Sequence, residues 1–147
     1  MDTYTSSGAD ISDCGLYRYR LWREWRGVTG ERGTVAFVML NPSTADGEAD
    51  DPTIRRCVGF TKRLGYNRLE VVNLFPFRAT KPADLWSADS VVEKGGDQQF
   101  LTVQKTCSDA DLVIAAWGAN DKSSARAEEV LSWIGVDTFC LSKTKNG

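Results

Sequence analysis

Three short apolar runs constrain this chain most: Thr34–Leu40 (TVAFVML), Leu69–Leu74 (LEVVNL) and Leu112–Trp117 (LVIAAW). Each has the length of a strand and little polar alternation, the pattern of a strand covered on both faces. The first gap between them carries helix punctuation. Asp51-Pro52-Thr53 supplies a cap and a first-turn proline, Ile54, Cys57, Val58 and Thr61 share one face, and Gly65 ends the run. Lys81-Pro82 opens a short helical turn, and residues 97–108 and 123–134 read as helices. A last short strand is expected at 137–141. Upstream, Leu16 to Arg26 alternates, with Tyr17, Tyr19 and Leu21 on one face and Arg18, Arg20 and Trp22 on the other. The glycine-rich stretch 27–33 reads as the turn of a hairpin joining it to the Thr34 strand. Residues 1–15 are read as a flexible N-terminal segment and 16–147 as one domain. The alternation of strands and helices predicts an α/β fold: three layers, α/β/α, a mostly parallel central sheet and an N-terminal β-hairpin.

A length of 147 residues suits one core. The net charge of -2 provides no global basic field, although Arg18, Arg20, Arg23 and Arg26 could form a local one. Cysteines 14, 57, 107 and 140 form no close pair, and histidine is absent, which argues against zinc or an iron–sulfur cluster. The acids Asp46, Glu48, Asp50 and Asp51 miss the calcium-loop spacing. No metal and no cofactor are expected. Met1 to Asp13 is polar, unlike a signal peptide, and no apolar run approaches a membrane span. A cytoplasmic protein without membrane contact is the expectation.

Ligands of open parallel sheets bind beyond the carboxyl ends of the strands. Three segments end strands here: Asn41-Pro42-Ser43-Thr44-Ala45-Asp46, then Asn73 to Thr80, and Trp117-Gly118-Ala119-Asn120. Amides beside rings suit a nucleobase: Asn41 and Asn73 can present donor and acceptor together, and Phe75, Phe77 and Trp117 can stack. Pro42, Ser43 and Gly118 would line the same pocket. Asp46 is the acid best placed to act in it, and Arg55, Arg56 and Arg78 are candidate phosphate contacts. Each Asn and Pro can also be read simply as a turn residue.

The segments Tyr17-Arg18-Tyr19-Arg20-Leu21, Leu40 to Asp46, Asp51 to Cys57, Val72 to Thr80 and Ala115 to Ala119 resemble a bacterial and phage family, domain of unknown function 1643. The chain is also distantly similar to the uracil-DNA glycosylase superfamily, through a strand ending in Asn-Pro-Ser and a later one ending in Asn-Leu before a Pro/Arg/Thr segment. That resemblance implies a parallel three-layer fold. It implies Asn41 as the group positioning an attacking water, Asn73 as a base-edge reader, and Phe75 or Phe77 as a stacking ring. Ser43 replaces the motif's second glycine, and Leu40 stands where a small residue is usual. The superfamily's His-Pro-Ser-type loop would follow the last strand, where this chain reads Lys143-Thr144-Lys145-Asn146-Gly147. Without histidine, a departing base would depend on Lys, Arg or Asn donors.

Two functions remain open. One is a DNA base-excising N-glycosylase, a hydrolase of DNA repair or phage defence, in which Asn41 holds the water and Asp46 supports an oxocarbenium-like transition state. The other is a non-catalytic binder of a nucleotide, a nucleotide-derived signal or a modified base through the same pocket. A third, plainer reading is an interaction module using Trp22, Trp25 and the arginines.

Overall fold

The computed structural model describes residues 4–27, 33–79, 96–118, 123–135 and 138–140. Its elements are β1 (Ser6–Ile11), β2 (Arg18–Glu24), β3 (Thr34–Met39), α1 (Pro52–Arg63), β4 (Arg68–Asn73), α2 (Gly96–Asp109), β5 (Leu112–Ala116), α3 (Ser124–Trp133) and β6 (Thr138–Cys140). Helix α1 follows its local signals. Asp51 Oδ1 accepts from the Ile54 N–H at 2.9 Å, and Pro52 occupies the first turn. Lys62 and Arg63 sit in the last turn, where cations complement the exposed carbonyls, and Gly65 ends the helix at φ 89°. Ile54, Cys57, Val58 and Thr61 form its buried face.

All six strands form one sheet in the order β1-β2-β4-β3-β5-β6. Strand β3 lies between β4 and β5 and is parallel to both; β6 is parallel to β5. The mostly parallel, uracil-DNA-glycosylase-like sheet expected from the sequence is corrected here. The sheet is mixed, because β2 joins β4 antiparallel and β1 joins β2 antiparallel. The expected hairpin of residues 16–26 with 34–40 does not form either. Leu21 pairs instead with Val71 of β4, which buries it against α1, and β1 covers the other edge of β2. Residues 6–11, within the N-terminal stretch read as loose or as an edge, form an edge strand.

Helices cover both faces. On one, α1 packs Ile54, Cys57 and Val58 against Leu21, Val35, Phe37, Leu69, Val71 and Ile114. On the other, Val103 and Cys107 of α2 and Ala127 and Val130 of α3 meet Ala36, Val38, Val72 and Val113. These opposite sets follow from the two-residue period of a strand. The helical turn expected at Lys81-Pro82 lies outside the described residues, as do Ala119, Asn120 and Lys143 to Gly147. Among the described residues no helix is long and apolar enough to cross a membrane. Cys14, Cys57 and Cys107 are free thiols.

Candidate functional site

Strand pleating decides which residues meet at the carboxyl end of β4. Leu69 and Val71 face α1, so Asn73, two residues on, faces the same layer beside its register partner Met39. Asn73 is 1% exposed, and neither its Oδ1 nor its Nδ2 has a hydrogen-bond partner. Burying an amide without partners costs about 1–3 kcal/mol. Its main-chain carbonyl, by contrast, is capped from the opposite layer by Gln99 Nε2.

Arg18 enters the same α1 layer by a break in alternation. The β1–β2 register shifts between Asp10, paired with Arg20, and Ile11, paired with Arg18, leaving Tyr19 as an extra residue. Such a bulge re-aims a side chain. The Arg18 N–H donates to Pro76 O just beyond β4, and its side chain turns into the α1 layer, where Nη1 donates to Ala45 O at 3.1 Å. Arg18 is 2% exposed; its Nε has no partner, and it forms no ion pair among the described residues. Burial pulls the guanidinium down to about 10, against the opposing pull of Asp51. Sequence alternation assigned Arg18 to the outer face with Arg20 and Trp22, so it was missed as a site residue. No local signal marks the bulge.

The loop between β3 and α1 closes over this corner. Arg78 Nε donates to Ser43 O, its Nη2 to Thr44 O and its Nη1 to Gly15 O. Gly47 lies against the backbone of Gly8 and Ala9; a Cβ there would come within 3.3 Å of Ala9 N. Asp51 Oδ2 accepts from Ala45 N–H at 3.3 Å. Asp46 Oδ1 accepts from the N–H groups of Glu48 and Ala49 at 2.9 and 2.7 Å, which holds the carboxyl below its ordinary range. That carboxylate closes an exposed turn.

The other expected site residues divide among different tasks. Asn41 Nδ2 donates to Ala79 O at 2.8 Å, Pro42 O at 3.0 Å and Phe77 O at 3.5 Å, tying the two strand-end loops together. Carbonyls cannot donate, so these contacts fix which amide atom is nitrogen and direct Oδ1 away from them. Pro42 O accepts from Ala79 N–H at 2.8 Å. Phe75 is buried in the core under α2 and α3, and Phe77 and Trp117 pack partly buried against it. Phe77 also meets Tyr17 edge-on at 5.8 Å. Gly118 turns the chain at φ 77°. Arg126 caps Leu74 O at 2.7 Å and lies over the Trp133 ring at 4.9 Å. Arg55 is exposed, its Nη1 3.4 Å from Asp50 O, and Arg56 is exposed on α1. Asn73 and the rings therefore lie on opposite faces of the sheet. The expected basic face is also dispersed: Arg20 pairs with Glu70 at 2.6 Å, and Arg23 is buried. Trp25 is buried, and Trp22 packs on Gly8, where a Cβ would lie 2.2 Å from the ring. Among the described residues no cluster of acids and thiols could hold a metal.

No curated protein and no solved structure matches the chain. A match over residues 18–147 shows that the chain belongs to the family described as "Protein of unknown function (DUF1643)".

Proposed function

We propose that this protein binds a nucleotide or a nucleobase-bearing small molecule at the carboxyl end of β4, recognising it through Asn73 and Arg18 without chemistry. One observation carries the reading: a fully buried carboxamide with both polar atoms unpartnered. A carboxamide offers one donor and one acceptor side by side, the complement of a base edge, and an unpaired guanidinium suits a phosphate. Access requires the 43–51 loop to lift. Arg78 holds that loop through the carbonyls of Ser43 and Thr44 and ties it to Gly15 O, contacts a ligand phosphate could replace. A thermal-shift and calorimetric screen of nucleosides, nucleotides and cyclic dinucleotides tests the reading. A ligand should raise the unfolding temperature of the wild type and bind at least about 10-fold more weakly to Asn73→Leu. Equal binding to both proteins, or no ligand in the whole screen, rejects it.

A second reading, base excision from DNA, draws on Asn41. Its nitrogen is clamped by carbonyls, and Oδ1 has no partner among the described residues and could hold a water. Incubation with uracil-containing DNA, followed by cleavage at abasic sites, tests it. Activity falling about 10²-fold in Asn41→Ala would favour excision over binding alone, and no cleavage by the wild type removes the reading.

A further inference from the structure

Gly59 lies in the middle of α1, where glycine weakens a helix relative to alanine. Nothing among the described residues requires it. Its φ is not positive, and a Cβ built there meets no heavy atom within 4 Å. Gly59 lines a groove of about 490 Å³ that runs from the carboxyl ends of β3 and β5 along α1. Its floor is apolar: Phe37, Met39, Cys57 and Ala116, with the Phe60 ring as a wall. Burial pushes the Cys57 thiol up to about 12, so it belongs to the apolar floor at neutral pH. Arg56 and Arg63 stand exposed along the rim, and neither forms an ion pair among the described residues. Among the described residues no carboxylate lines the groove, and neither Asn73 nor Arg18 does.

We propose that this groove binds an amphiphilic anion: a molecule with an apolar chain or ring body and one carboxylate-like head. The body would lie on Met39, Phe60 and Ala116 and pass close over the bare backbone at Gly59. The head would be held by Arg56 and Arg63. The volume lies within the range of small-molecule sites, about 300–1,000 Å³. An apolar floor supplies no partners for a base edge, so the ligand differs in class from the one proposed above. The unpaired arginines supply the charge complement that commits the groove to an anion.

The test uses the whole chain, anilinonaphthalene sulfonate as a fluorescent probe, and decanoate as competitor. The probe should bind saturably at one site per chain, and decanoate should displace it. Gly59→Leu should raise the unfolding temperature through helix propensity and weaken both ligands by roughly 10-fold or more as the side chain fills the groove. A structural glycine would not combine a more stable fold with lost binding. The double variant Arg56→Glu, Arg63→Glu should weaken decanoate by about 10-fold and leave the neutral analogue decanol unchanged. The proposal is overturned by unsaturable probe binding, by failure of decanoate to compete, or by unchanged binding in folded Gly59→Leu. Equal sensitivity of decanol to the double variant also overturns it. So does a dimer of the wild type that Gly59→Leu dissociates, since a second copy would then fill the groove.

Discussion

The two ends of β2 each bury an arginine, under opposite conditions. At Arg23, 0% exposed, all five N–H donors are used. Nε binds Asp50 at 2.8 Å, Nη1 binds the carbonyls of Gly8 and Trp22, and Nη2 binds those of Asp46 and Ala49. Tyr4 completes the knot, its hydroxyl on Asp50 Oδ2 and its ring near the guanidinium. At Arg18, equally buried, one carbonyl is bound and Nε is bare. A guanidinium loses its hydration at either end, but only Arg23 regains it from the protein. Saturation marks Arg23 as a structural rivet. The shortfall at Arg18, in the α1 layer that also holds the unsatisfied Asn73 amide, is what the proposed ligand would make good.

If that contrast is right, Arg23→Met should lower stability by about 3–5 kcal/mol, because Asp50 and four carbonyls lose a buried partner. Urea denaturation measures it, and a loss below about 1 kcal/mol would make the two arginines equivalent. Asn73→Leu should act in the opposite direction. Replacing two unsatisfied polar atoms with hydrocarbon should raise stability by about 1–3 kcal/mol while abolishing ligand binding. Destabilisation there would show that the amide is satisfied internally. Asn41→Ala removes the amide donor from Ala79 O, while Pro42 O keeps the Ala79 N–H, and should cost about 1–2 kcal/mol.

Arg18→Met should be close to neutral, within about 1 kcal/mol of wild type, and should weaken the ligand of Asn73. The smallest effect is its pH dependence. Burial lowers Arg18 to about 10, well below the ordinary guanidinium range. Below 10 both states carry the charge, and the fold bears the cost of burying it. Above about 10 the unfolded chain still binds a proton that the folded chain has lost, so stability from this residue rises with pH. Any advantage of Arg18→Met over wild type in urea midpoint should shrink as pH passes 10. A constant difference would show that Arg18 is not desolvated.

What was legible in the sequence was local. The bounds and buried face of α1 could be read because Asp51, Pro52 and Gly65 act on atoms within a few residues. The strands read at 34–40, 69–74 and 112–117 from largely apolar runs fall at 34–39, 68–73 and 112–116. The mixed sheet could not be read, because nothing near Leu21 names Val71 as its partner. The site was half legible for the same reason. Position at a strand end identified Asn41 and Asn73 alike, but register pairs Asn73 with Met39, whereas Asn41 lies beyond the ladder. Pleat parity then buries one amide and leaves the other to bind carbonyls. Arg18 escaped because a bulge cancels the parity on which alternation depends.

The antiparallel seam between β2 and β4 also bears on how the chain is made. Leu21 must wait for Val71, fifty residues further along, before its ladder can close. At about 5–20 residues per second, a ribosome leaves β2 without that neighbour for roughly 3–10 s. During this interval β1 can already zip onto one side of β2, and Trp22 can settle on Gly8. The other side, with Leu21 and Arg23, stays open as an unpaired edge, the surface on which nascent chains aggregate or are held by chaperones. Vectorial synthesis thus leaves β2 with one open edge until β4 emerges.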